Sequence, residues 1–368
     1  MLAAGSVLAA LTLSVAACTS SNSSSGSSGS AGSSGTSATS SASGSIGLLL
    51  PETKTTRYEA ADKPYFEAKF KALCPNCKIL YSNADQNAAT QQSQAEQAMT
   101  NGAKVLVLDP VDGKAAAVIA RDAASKGVKV VSYDRLISGA KIDAYISFDN
   151  EKVGQLQGQA LVDKLGSKAK TGQVIMINGS ADDNNALLFK KGALSVLTGK
   201  VNIGYQTFTP DWAPDTAGTE MDQAITKVGK NNIAAAYSAN DGMAAAIVAS
   251  LKRAGVNPLP PVTGQDAQVD AVQRILVGQQ FMSVYKAIKP EAEQAAQLAF
   301  ALLQGKTVTD IATSTTDNGA GQIPSVLLTP VELTKSNIQS TVIKDGFLTV
   351  SDICTSAYKS ACTAAGIH

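Results

Sequence analysis

VLVLDPVDGKAAAVIARDAASKGVKVVSYDRLI, residues 105–137, carries the alternation that decides the fold. Val105–Leu108 and Val128–Ser132 are short apolar runs of strand length, and between them Lys114–Ser125 has helical apolar spacing and closes near Gly127. A strand, a helix and a strand in that order make one step of a parallel sheet covered by helices on both faces. Directly after the second strand, following VKVVSYD, stands Arg135. Three more polar residues occupy the same kind of place: Asn185 after QVIMINGSADD, Asn240 after IAAAYSA and Asp266 after PPVTGQ. Open α/β sheets bind ligands at the carboxyl ends of their strands, so these four side chains should converge on a polar, hydroxyl-rich small molecule.

Outward from that unit the pattern repeats. Further strands are expected at Ile46–Leu50, Lys78–Ser82, Val174–Ile177, Ile203–Phe208, Ala234–Tyr237, Val262–Gly264 and Phe281–Val284. Helices are expected at Ala88–Thr100, Asn185–Leu197, Gly242–Ala254 and Pro290–Leu303, several opening with Asp, Asn or Pro and closing near Gly. The series breaks near Tyr145–Asn150, where a short strand precedes a long helix, Glu151 to Leu165, and a second series begins. A body of roughly 320 residues exceeds what one hydrophobic core usually serves, so two lobes are expected.

The opening of the chain has another character. Leu2 to Ala17 is apolar and ends in Val15-Ala16-Ala17-Cys18, the pattern of a lipoprotein signal too short for a stable membrane span. Cys18 is the expected lipidated residue. No Lys or Arg precedes it, so the basic region such a signal requires is expected upstream of Met1. Residues 19–45, almost all Ser, Gly, Ala and Thr, are read as a flexible tether with a reach on the order of 30 Å. An ordinary apolar helix followed by a loop is the competing reading.

The charge balance is 31 basic against 30 acidic residues, net +1, with no basic run, which argues against nucleic acid as a partner. Apart from Cys18 the cysteines form two local pairs, Cys74/Cys77 and Cys354/Cys362. In an exported chain two disulfides are the economical reading. A zinc site built from all four lacks histidine ligands and has a wide second spacing. A redox role for Cys74-Pro75-Asn76-Cys77 fits less well, because the pair stands where a helix ends rather than at a helix amino terminus.

Enzyme chemistry has little to work with. The only histidine is the last residue, His368, which leaves no Ser-His-Asp or Cys-His scheme. Neither nucleotide fingerprint, G-x-G-x-x-G after a strand or G-x-x-x-x-G-K-[ST], is present. Carboxylates do occur at strand ends, Asp109, Asp134, Asp183, Asp241 and Asp266, so a two-carboxylate glycosidase stays open at this level.

A longer set of runs goes beyond this generic reading. VVSYDRLI (130–137), YISFDNEKVGQL (145–156), GSADDNNALLFKKG (179–192), SANDGMA (238–244), TGQDAQVDAVQRI (263–275), MSVYKAI (282–288), IPSVLLTP (323–330) and TVIKDGF (341–347) closely resemble periplasmic D-xylose-binding proteins. These are substrate-binding subunits of sugar ABC importers, in the type I periplasmic binding protein family. The resemblance spans about residues 46 to 347 and implies an α/β fold of two Rossmann-like, doubly wound lobes joined by a three-strand hinge. Residues 46–149 with 288–328 would make the first lobe and 150–287 with 329–350 the second, leaving 351–368 as a tail with a disulfide.

The resemblance places a sugar between the lobes and implies eight contacts: Arg57, Arg135, Asp183, Asn185, Trp212, Asn240, Asp266 and Lys286. Sugar hydroxyls both donate and accept, so Asp183 and Asp266 would accept, Arg57, Arg135 and Lys286 would donate, and Asn185 and Asn240 would do both. The apolar C–H face of a pyranose suits Trp212, or Tyr58 or Phe189. PETKTTRYEAADKP (51–64) departs from the usual opening of these proteins, and PDW (210–212) lies in a poorly matching stretch. Read singly, Asp183 and Asp241 are ordinary helix caps, Arg57 and Lys286 surface charges, and Trp212 a core residue. The implied function is capture of a monosaccharide, D-xylose and also glucose, for a membrane permease whose ATPase is a separate chain, with no cofactor and as a monomer. A sugar-sensing subunit for a membrane receptor would share the pocket and the tether. A sugar-responsive repressor would need an amino-terminal helix-turn-helix that residues 1–45 cannot form.

Overall fold

The computed structural model describes residues 43–368, so the expected leader, Cys18 and all but the end of the tether lie outside the described residues. The described residues form one compact unit. It opens with β1 (Ser45–Leu50), a π-type turn at Tyr58–Asp62, α1 (Lys63–Leu73), β2 (Lys78–Asn83), α2 (Ala88–Thr100), β3 (Ala103–Leu108), α3 (Ala117–Ser125), β4 (Lys129–Tyr133) and β5 (Ala144–Phe148). A second series follows: α4 (Asn150–Leu165), β6 (Gln173–Asn178), α5 (Asn184–Leu197), β7 (Asn202–Phe208), α6 (Pro214–Val228), β8 (Ile233–Ser238), α7 (Asp241–Arg253), α8 (Val269–Leu276) and β9 (Ser283–Tyr285). The chain ends with α9 (Ile288–Leu303), β10 (Ser314–Asp317), β11 (Gln322–Leu328), β12 (Val331–Leu333), α10 (Val350–Ile353) and α11 (Lys359–Ala364).

Seven strands form one sheet in the order β10-β11-β5-β4-β3-β1-β2, parallel except for the antiparallel β10–β11 edge. Its central strands are buried on both faces, which is why β1 (SIGLLL) and β3 (AKVLVL) read as nearly continuous apolar runs. On one face Phe66 and Phe70 of α1 pack with Ala292–Ala299 of α9, and on the other Ala95 and Met99 of α2 pack with Ile119 and Ala120 of α3. A second sheet, β7-β6-β8, is parallel and gains one bridge from Ala236 to Val262. Helices α4 and α5 pack together, as do α6 and α7, around a core that includes Ile175, Phe189, Met221 and Ile247. The antiparallel pair β9–β12 brings Val331–Leu333 back against Ser283–Tyr285.

Most expected elements form within a few residues of their predicted ends. Val262–Gly264, expected as a strand, makes only that single bridge, and Lys114–Ser125 becomes helical only from Ala117. Helices α1, α6 and α8 were not anticipated. Residues 351–368, expected as a tail, contribute to α10 and α11 and bury Ile353, Cys362 and Ile367 in a core with Val272, Ile275 and Tyr285. Both cysteine pairs are disulfides, with Cα separations of 5.3 Å for Cys74–Cys77 and 5.9 Å for Cys354–Cys362. No helix among the described residues is long and apolar enough to cross a membrane.

Candidate functional site

The carboxyl ends of the strands converge. Beyond β1 lie Thr55, Arg57 and Tyr58, and beyond β4 Asp134 and Arg135. From the other series come Asp183, Asn185 and Phe189 after β6, Trp212 after β7, Asn240 after β8, Gln265 and Asp266 after the bridged Val262, and Lys286 after β9. Together they line one narrow cavity of about 20 Å³. All eight residues expected from the sequence line this one cavity, and none is more than 5% exposed.

The cations in it already have partners. Arg57 grips Asp62 with two hydrogen bonds, Nε to Oδ2 at 2.9 Å and Nη2 to Oδ1 at 2.6 Å, and reaches Glu291 at 2.7 Å and Asp134 at 3.2 Å. Arg135 Nε lies 3.1 Å from Asp183 Oδ2, with Asp109 and Glu52 each 3.7 Å away. Lys286 Nζ is 3.2 Å from Asp266 Oδ1 and sits 5.5 and 5.8 Å from the rings of Phe148 and Phe189. Tyr58 links the two arginines: its hydroxyl accepts from Arg135 Nη2 at 3.2 Å and donates to Asp134 Oδ2 at 3.2 Å.

Burial works against every charge here, and the outcome depends on the neighbours. For Arg57 burial is outweighed by Asp134, Asp62 and Glu291, so its guanidinium is held charged more firmly than usual. For Asp134 burial is likewise outweighed, by Arg57, Lys286 and Arg135, which hold the carboxyl below its usual range. Asp109 and Glu291 go the other way: burial, aided by Asp134, pushes both well up despite their arginine neighbours. Both oxygens of Asp109 and Oε1 of Glu291 make no hydrogen bond within the protein. A field matched in this way favours a neutral ligand that offers both donors and acceptors.

Three of the expected contacts, Asp183, Asn240 and Asn185, serve the protein as well as the cavity. Asp183 Oδ1 caps α5 by accepting from Asn185 N at 2.8 Å, while its Oδ2 accepts from Trp212 Nε1 at 3.1 Å. Asn240 Oδ1 caps α7 at Met243 N, 2.9 Å, which leaves its Nδ2 as a donor toward the cavity. Asn185 spends its amide on the protein too, donating to the Asp134 carbonyl at 3.0 Å and accepting from Asn150 at 2.8 Å. Trp212 stands edge-on to Phe189, centroids 6.3 Å apart, and lies over Gly179, where a Cβ would come within 2.0 Å of its ring. Only glycine at 179 lets the indole reach the cavity wall.

Sequence reasoning assigned no binding role to Asp134, Thr55 or Gln265. Asp134 was visible as a strand-end carboxylate but not as a partner of Arg57 seventy-seven positions away. Three lining residues, Asp134, Trp212 and Asp266, have positive φ angles of 53°, 54° and 91°. Such backbone is strained for non-glycine residues and concentrates at ligand sites. Among the described residues no cluster of His, Cys, Asp or Glu is arranged to hold a metal ion.

Comparison with known proteins bears on this site. The family model described as a periplasmic binding protein domain matches residues 46–307. The D-xylose-binding periplasmic protein of Escherichia coli (strain K12) is 37% identical over 313 residues, 84% of this chain and 92% of that protein. The multiple sugar-binding periplasmic receptor ChvE of Rhizobium radiobacter is 35% identical over 323 residues, 83% of this chain and 90% of that protein. Among solved structures, a carbohydrate transporter solute binding protein from Chloroflexus aurantiacus, in complex with D-glucose, aligns with a TM-score of 0.77 and 30% identity. It covers 84% of this chain and 98% of that one.

Proposed function

This chain belongs to the family of periplasmic binding protein domains and has their type I fold, and from that premise we propose that it is the extracytoplasmic, lipid-anchored binding subunit of a sugar ABC importer. It captures a monosaccharide, D-xylose first and glucose second, between lobes formed by residues 46–149 with 288–328 and 150–287 with 329–350. The observation that carries this reading is the convergence of Arg57, Arg135, Asp183, Asn185, Trp212, Asn240, Asp266 and Lys286 on one buried cavity. Asp266 and Lys286 accept from and donate to ring hydroxyls, Asn240 donates, and Trp212 or Phe189 meets the apolar ring face. Its named relatives are binding proteins, so the glycosidase reading is set aside.

Both lobes contribute to the cavity wall, so contacts completed only on closure drive the hinge shut. Micromolar affinity requires roughly −8 kcal/mol, within reach of several charge-assisted hydrogen bonds and one stacking face after ordering losses. The closed monomer presents its sugar to a separate permease. A sensing role uses the same pocket and draws on the receptor named among the relatives; co-purification with a permease against a receptor separates the two. A thermal-shift panel of aldoses on residues 43–368 tests the proposal, since a ligand bound only by the folded state raises Tm. Xylose, alone or with glucose, should shift it most, and no shift with any monosaccharide would overturn the reading.

A further inference from the structure

Asp241 does not line the cavity, yet it sits behind four of the residues that do, Asn240, Gln265, Asp266 and Lys286, which come from three separate segments. It is fully buried and directly follows Asn240. Its backbone N–H donates to the Gln265 carbonyl at 3.0 Å. Its carboxylate Oδ2 accepts from Gln268 N at 3.0 Å and from Ser283 Oγ at 2.8 Å, and Oδ1 accepts from Gln280 Nε2 at 2.7 Å. Ser283 Oγ in turn accepts from Ala267 N at 3.2 Å. The carboxylate therefore holds the turn just past Asp266, at Gln268 directly and at Ala267 through Ser283, while the Asp241 backbone N–H holds Gln265 on the other side.

That turn needs holding. Asp266 and Ala267 have successive positive φ angles of 91° and 51°, a conformation that is strained for residues without glycine's freedom. The space is cut to fit as well: a Cβ on Gly264 would fall 1.9 Å from Asp241 Oδ1 and 2.4 Å from Gln280 Nε2. Three residues beyond Ser283, on the far side of β9, comes Lys286, the partner of Asp266. Arg274 closes the ring from α8, donating to the Asp241 carbonyl at 2.9 Å and to Gln280 Oε1 at 3.0 Å.

We propose that Asp241 is the positioning residue of the site, fixing the left-handed Asp266–Ala267 turn so that Asp266 and Lys286 are presented together to the ligand. The inference rests on the sugar-binding reading and adds to it a residue that touches no ligand. Its removal should therefore change affinity in protein that is still folded, which a residue of merely structural importance would not do. Asp241→Asn keeps the size but leaves one acceptor oxygen for three donors. Ser283→Ala keeps Asp241 and removes only the relay to Ala267. Leu197→Ala, in the same core but at the far end of α5, is the control for lost stability.

The test is calorimetric titration of wild type and the three variants with the aldose that binds wild type best, at a temperature well below each Tm. Asp241→Asn should weaken binding about tenfold or more and Ser283→Ala severalfold, while Leu197→Ala lowers Tm and leaves Kd within about twofold. Kd unchanged in both Asp241→Asn and Ser283→Ala would overturn the proposal, and if Asp241→Asn fails to fold, Ser283→Ala alone decides. Wild type that binds no aldose would instead overturn the sugar-binding reading, and with it this inference.

Discussion

At the scale of single residues, the cavity separates side chains that are free to engage a ligand from those already engaged by the protein. Asp266 has one close charged partner, Lys286, and its Oδ1 makes no hydrogen bond. Asp266→Ala should weaken sugar binding at least about a hundredfold, the loss expected when a charged acceptor for ligand hydroxyls disappears, and, because it takes the carboxylate from buried Lys286, also lower the Tm of free protein, though by less than removal of a residue with several carboxylate neighbours. Arg135 behaves differently, because Asp183, Asp109 and Glu52 surround it in a buried setting. Truncating one partner of a buried ionic cluster costs about 3–5 kcal/mol, so Arg135→Ala should lower Tm markedly as well as abolish binding. Denaturant unfolding of the two variants side by side checks the contrast. Arg135, Asn185, Asn240 and Asp266 were legible in the sequence because each follows an apolar strand run. The alliance of Arg57 with Asp62, Asp134 and Glu291 was not, since it joins residues up to 234 positions apart.

At the scale of elements, the site depends on how strands end. Asp183 and Asn240 each cap a helix with one oxygen and face the cavity with what remains, so capping and ligand binding are not competing explanations. The strands and the amphipathic helices were readable from periodicity because that pattern is local. The π-type turn that aims Arg57 and the left-handed Asp211–Trp212 corner were not, because tertiary contacts impose those backbones. The β9–β12 pairing and the docking of α10 on α8 escaped for the same reason. There Gln273 Nε2 donates to the carbonyls of Asp352 and Ile353 at 3.2 and 3.1 Å. Because α10 and α11 are part of a core, replacing both Cys354 and Cys362 by Ser should lower Tm by roughly 5–10 °C, read from thermal scans of the variant beside wild type.

At the scale of the whole molecule, buried carboxyls set the response to pH. Burial pushes Asp241 from 3.8 to about 7, against the pull of Gln280, Ser283 and Arg274 and with the help of Asp266. A carboxyl raised on folding binds its proton more tightly in the native state, so its contribution is complete below pH 4 and is lost as pH rises through about 7. Asp109 and Glu291 are shifted in the same direction. The free protein should therefore lose stability between about pH 4 and 7, and Asp241→Asn should flatten that slope; Tm measured across the interval decides it. Closure makes a second prediction at this scale: scattering should show a contraction on adding sugar and a mass that stays monomeric. The buried cavity should bind an aldose. Titration calorimetry of residues 43–368 with D-xylose should give one site with a Kd at or below the micromolar range, and D-glucose should compete for it. An absence of heat with xylose, glucose, arabinose and galactose at millimolar concentration would contradict the account.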